Sequence, residues 1–182
     1  MKKAFTIIEL MMVVAIIAIL LGLITSASAG AIREAREKKA STACVVVQAG
    51  FETYYAQKGY WPGSINENRD GTDFDQAADV IELDPIQVRA MMKDLIQEFK
   101  KGNPCIDLSG LFVSRYEGKE GSRDLGLDFM EAIHGSKKDK HGQKMTTSEM
   151  YFGYPDKQTG YFRHFRVTYR RSTDSILVER QK

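Results

Sequence analysis

The chain has 182 residues, with 26 Lys and Arg against 24 Asp and Glu and two cysteines, enough for one soluble domain of ordinary size plus a short membrane element. The first 25 residues hold Lys2, Lys3 and Glu9, so the remainder carries 24 basic and 23 acidic groups. That near neutrality excludes the strongly cationic field of a general nucleic-acid binder.

The N-terminal stretch KKAFTIIELMMVVAIIAILLGLI sets one acid, Glu9, in a greasy run that meets no further charge before Arg33. Phe5 to Ile24 is long enough to cross a bilayer core as a helix. Lys2 and Lys3 ahead of it predict a cytoplasmic N-terminus with the rest of the chain outside. The same features, together with Ala27-Ser28-Ala29, also fit a cleaved secretory signal. Glu9 bears on that choice, because a charge in hydrocarbon costs at least about 2.5 kcal/mol and is by default a functional candidate. A signal-peptide core gains nothing from it.

FTIIEL followed by MMVVAIIAILLGLI resembles the N-terminus of type IV prepilins and type II secretion pseudopilins. In that family a dedicated peptidase cuts before the phenylalanine and methylates the new amino terminus. The resemblance implies cleavage between Ala4 and Phe5, methylation at Phe5, and an assembly role for Glu9. Ala4 stands where the family usually has glycine, and no proline interrupts the chain before Pro62. A lone cation and a lone anion in low dielectric are each costly until they meet. Pairing of Glu9 with the Phe5 amine of a neighbouring subunit would therefore set the register of a growing filament.

Downstream, Ile32, Ala35, Ala43, Val47, Phe51 and Tyr54 predict an amphipathic stripe that carries the same helix into a head domain. Gly59, with Pro62 just beyond, is the expected stop. Lys58-Gly59-Tyr60-Trp61-Pro62 resembles the G-x-Y-P turn after the long helix of major pseudopilins, with an aromatic lid on the core as its structural meaning. Asp84-Pro85 then opens a second helix, stopped by Gly102-Asn103-Pro104, with Val88, Met91, Met92, Leu95 and Phe99 on its apolar face. Leu111 to Tyr116 reads as a strand and Leu125 to His134 as a short helix. Phe165, Val167 and Tyr169, a turn at RSTDS, then Ile176 and Val178, form a closing hairpin.

The expected architecture is therefore α+β and pilin-like, a long helix packed on a head with an antiparallel sheet. The expected segments are a leader (1–4), a transmembrane helix (5–25), its amphipathic continuation (26–58) and a globular head (59–182). Cys44 and Cys105 could form a bridge closing a loop of about 60 residues, contributing roughly 2 to 4 kcal/mol, or remain two buried thiols. Asn66, Asn68 and Asp70 echo the start of a calcium loop, but Ala77 stands where a twelfth-position glutamate belongs, and a solvated Asx-rich turn is the simpler reading. His134, His141 and His164 show no metal-ligand spacing. Arg163, Arg166, Arg170 and Arg171 read as an exposed polar sheet face rather than a DNA surface.

No catalytic motif is present, and neither an enzymatic activity nor a cofactor is expected. The expected function is a structural subunit of a pseudopilus or a type IV pilus-like filament. Its expected partners are copies of itself, a prepilin peptidase, the membrane and the secretion or pilus assembly machinery, not nucleic acid. Its expected location is the bacterial inner membrane, single-pass, with a periplasmic head. The alternative is a soluble secreted ligand-binding domain released after Ala29.

Overall fold

The computed structural model describes residues 7–64, 78–104, 106–115, 125–135, 145–146 and 148–181. The chain forms two compact units, Met1–Ala35 and Arg36–Lys182. Helix α1 (Ile7–Lys58) contributes to both. In the first unit every described side chain from Ile7 to Ala35 is exposed. The expected stripe is corrected here: Ile32 is 51 % exposed and Ala35 is exposed as well. Periodicity marks one face of a helix, but burial also requires an opposing surface.

That surface exists in the second unit, where Ala40, Ala43, Cys44, Val47, Phe51 and Tyr54 are buried at spacings of three and four. Helix α1 stops as expected at Gly59, which adopts φ +78 and donates its N–H to the Tyr55 carbonyl at 2.8 Å. A residue without Cβ takes that left-handed conformation at least cost. A short 3-10 turn (Pro62–Ser64) follows.

Helix α2 (Pro85–Lys100) begins where its sequence says. Asp84 accepts from the Gln87 N–H at 2.7 Å while the Gln87 side chain accepts from the Asp84 N–H at 3.0 Å, a reciprocal capping box. It ends in a Schellman turn, with Gly102 at φ +78 and the Asn103 N–H reaching back to the Glu98 carbonyl at 3.1 Å. Val88, Met91, Met92, Leu95 and Ile96 are buried along it, and Phe99 is partly buried against the core.

All strand pairings are antiparallel. They join β1 (Val80–Leu83), β2 (Phe112–Ser114), β3 (Leu127–Asp128), β4 (Tyr151–Pro155), β5 (Phe162–Arg170) and β6 (Ser175–Arg180). Strand β5 organises them. It pairs with β4 through its first residues and with β1 and β6 through its last. The expected hairpin is present, with Val167 opposite Val178 and Tyr169 opposite Ile176. Phe165, Val167, Tyr169, Ile176 and Val178 all point into the core.

The segment read as one helix from Leu125 to His134 is different. Leu127–Asp128 pairs with β2, and only Phe129–Ile133 is helical (α3). Asp128 divides the two, because its carboxylate accepts from the N–H groups of Met130 and Glu131 and caps the helix. Helix α3 is short but drives Phe129 fully into the core, 5.7 Å from the rings of both Phe99 and Phe152.

Strand β4 is buried at all five positions. It lies between β2 and β5, and an ideal Cβ on Gly153 would sit 1.9 Å from the Arg163 carbonyl oxygen. Backbone blocks any side chain there. Gly153→Ala is expected to destabilise the head by about 3 kcal/mol or more. Thermal unfolding followed by far-UV circular dichroism checks this, and an unchanged midpoint contradicts the packing.

Candidate functional site

The expected processing residues Ala4 and Phe5 lie outside the described residues. Glu9 is on helix α1, flanked by Ile7, Ile8, Leu10, Met11 and Met12, each between 60 % and 80 % exposed. An 18-residue window of this helix has mean hydropathy 3.0 with none of it buried. The core helix of a soluble protein can be equally apolar, but its greasy face is covered. Here Leu20, Leu21, Leu23 and Ile24 are each more than half exposed as well. An apolar surface that encircles a helix calls for lipid or other apolar chains around it. By length and composition the helix can cross a membrane.

Residues 1–25 match the prokaryotic N-terminal methylation motif. The match bears out the resemblance to type IV pilins and pseudopilins that FTIIEL carries. Comparisons with curated proteins and with solved structures find no match. The pilin-like character therefore rests on the N-terminal motif and on an architecture of long apolar helix followed by antiparallel sheet. Both features are compatible with membrane anchoring and with processing by a prepilin peptidase.

The expected bridge brings one described residue to view. Cys44 is a free thiol, buried to 8 % exposure, and Cys105 lies outside the described residues. Burial pushes the Cys44 thiol up to about 11. It borders a groove of about 450 Å³ between helix α1 and strand β6, together with Val45, Gln48 and Val178. In that groove the Val178 N–H donates to Gln48 Oε1 at 3.4 Å.

The calcium-loop candidates Asn66, Asn68 and Asp70 lie outside the described residues, as does His141. Among the described residues no three His, Cys, Asp or Glu side chains gather as a metal set would. Two of the β5 arginines are paired with carboxylates. Arg163 pairs with Asp156 at 3.0 Å and Arg166 with Glu82 at 2.8 Å. Partial neutralisation of that kind suits a solvated sheet face better than a phosphate track.

A cluster that the sequence did not announce lies at the end of helix α1. Asp174, in the β5–β6 turn, accepts from the Tyr55 hydroxyl at 2.6 Å, Trp61 Nε1 at 2.7 Å and the Tyr169 hydroxyl at 2.9 Å. These donors hold its carboxyl below the ordinary aspartate range, Tyr55 first, then Trp61 and, more weakly, Tyr169. Trp61 is 4 % exposed and stacks on Tyr55 with ring centroids 4.4 Å apart. One carboxylate thus ties the helix end, the following turn and the hairpin together. The only hint in the sequence was an aspartate in a turn and three aromatic residues with polar tips.

The other side of the turn docks on α2. The Gly63 N–H donates to Asp94 Oδ2 at 2.8 Å, and a Cβ on Gly63 would meet Met91 Cγ at 2.8 Å. The aromatic-lid expectation for Trp61 is met, with a specific anchor on each side. Trp61→Phe keeps a ring but loses the indole donor to a carboxylate, and is expected to cost about 1.5 to 3 kcal/mol in equilibrium unfolding. Cys44 is expected to resist iodoacetamide at pH 8 in the folded protein and to react on denaturation. Mass mapping of the Cys44 peptide reads this out, and rapid labelling of the folded chain contradicts the burial.

Proposed function

We propose that the chain is a structural, non-enzymatic subunit of a type II secretion pseudopilus or a type IV pilus-like filament. On this reading a prepilin peptidase cuts between Ala4 and Phe5 and methylates the Phe5 amine. The subunit then waits in the inner membrane as a single-pass protein, with its N-terminus cytoplasmic and its head periplasmic. Residues 1–4 are the leader, 5–25 the transmembrane helix, 26–58 its continuation and 59–182 the head. The observation that carries the reading is the methylation motif at residues 1–25, together with an 18-residue apolar window of helix α1 of which none is buried.

Glu9 supplies the mechanism. In the bilayer its carboxylate is costly, and on docking it meets the Phe5 ammonium of an adjacent subunit. Copies of the chain, the peptidase, the membrane and the assembly machinery are then its partners. The alternative, release of a soluble domain after Ala29, is disfavoured by the helix itself. Helix α1 continues without a break through residues 27–29, and Ser28 Oγ donates back to the Ile24 carbonyl at 2.7 Å.

Intact mass and N-terminal sequencing of the purified mature chain test the processing. A methylated Phe5 at the N-terminus supports the filament reading, and a free Gly30 overturns it. Glu9→Ala is expected to leave membrane levels of the subunit unchanged while lowering filament yield at least about tenfold, the equivalent of about 1.4 kcal/mol per docking event. Normal filament yield from that variant would remove the pairing mechanism.

A further inference from the structure

We propose that Asp174 is a carboxylate latch that holds the 59–64 turn closed on the head and lets it open when the carboxylate is protonated. The geometry is that of a single anion shared by three separate elements. Tyr55 comes from helix α1, Trp61 from the turn and Tyr169 from strand β5. All three donors are neutral, so the strength of the cluster derives from the charge on Asp174. Charge-assisted bonds are roughly twice as strong as neutral ones, and protonation converts all three at once.

Asp174 is also placed to respond. Its residue is exposed while Trp61 and Tyr169 are buried and Tyr55 is half-buried, so solvent reaches the proton acceptor while two of its three donors are shielded. Its backbone is held at φ +45, the one non-glycine residue at positive φ among the described residues. Aspartate tolerates that region, at a cost that the three bonds offset.

The other polar and charged groups around the cluster are engaged elsewhere or act indirectly. Asp79 accepts from the Ser172 N–H and hydroxyl at 2.8 and 2.9 Å. Arg171, on the same turn, acts on Tyr169. Asp94, on α2, holds the far side of the turn through Gly63. Asp174 is therefore the carboxylate that accepts directly from Trp61, while Asp94 holds only the backbone beyond it.

The sign follows from the depressed carboxyl. The latch contributes fully above the unfolded aspartate value of about 3.9 and is lost as pH falls through the lower folded value. Trp61 is the chain's single tryptophan, so its emission reports the turn without labelling.

The test is a titration of Trp61 fluorescence from pH 7 to pH 2 on the full chain in detergent micelles, with far-UV circular dichroism in parallel. The expected result is a red shift with a midpoint below about 3.9 while the helical signal persists. Asp174→Asn, which suits the same backbone, should emit further to the red at pH 7 and show no transition. Tyr55→Phe should move the midpoint upward, toward the ordinary aspartate value. The proposal is overturned if the emission does not change, or changes only together with the helical signal. It is equally overturned if Asp174→Asn titrates like the parent or Tyr55→Phe leaves the midpoint in place.

Discussion

Helix α1 has to satisfy two environments along one backbone. From Ile7 to Ile24 its side chains face outward in every direction and are almost uniformly apolar, whereas from Ala40 to Tyr54 only one stripe is buried. The first pattern is stable only in an apolar surrounding, the second only against a folded partner surface. The head supplies the second. Its sheet and α2 exist largely to cover that stripe, and the buried set from Val47 and Phe51 to Leu95, Phe165 and Val167 is one continuous core.

Covering a helix end with a sheet requires the chain to turn back sharply after Lys58, and the structure fixes that reversal from several directions. Gly59 allows the stop, Asp94 and Met91 crowd Gly63 from α2, and Asp174 anchors Trp61 from the hairpin. Farther along, Glu98 reaches both Lys58 at 3.6 Å and Lys101 at 2.8 Å, and the Gln57 and Asn103 amides bond reciprocally. Exposed pairs of this kind contribute little individually. Their placement links the C-terminal ends of α1 and α2.

Where sequence patterns were capped or alternated along strands they told the fold correctly, whereas the helical stripe of α1 overreached at Ile32 and Ala35, which have no opposing surface. Asp84 with Gln87, the Gly102 stop and the alternation of β5 and β6 each encode their geometry within a few residues. Strand β4 was illegible because it is buried on both faces and reads YFGYP, with a glycine and a proline where alternation would normally show. Strand β1 was missed because four residues carry too little pattern. The helix at Leu125–His134 was overextended because Asp128 ends a strand pairing and caps a helix at the same point. Of the candidate site, Glu9 stood out because it is the one acid in an otherwise apolar run. The Asp174 cluster was not, since its members are more than 100 residues apart along the chain at the widest. Only the tertiary fold brings them together.

Strand β6 pairs only with β5 among the described residues, and its outer border runs beside helix α1, where Gln48 takes up the Val178 N–H. An open strand border invites a second chain to zip on through its backbone. Here a side-chain amide occupies the place that an intruding strand would need, and Glu179 and Arg180 add charge beside it. That border of the sheet is thereby discouraged from pairing edge to edge with a second copy. On the proposed reading, self-association is left to the apolar surface from Ile7 to Ile24 rather than to this strand border.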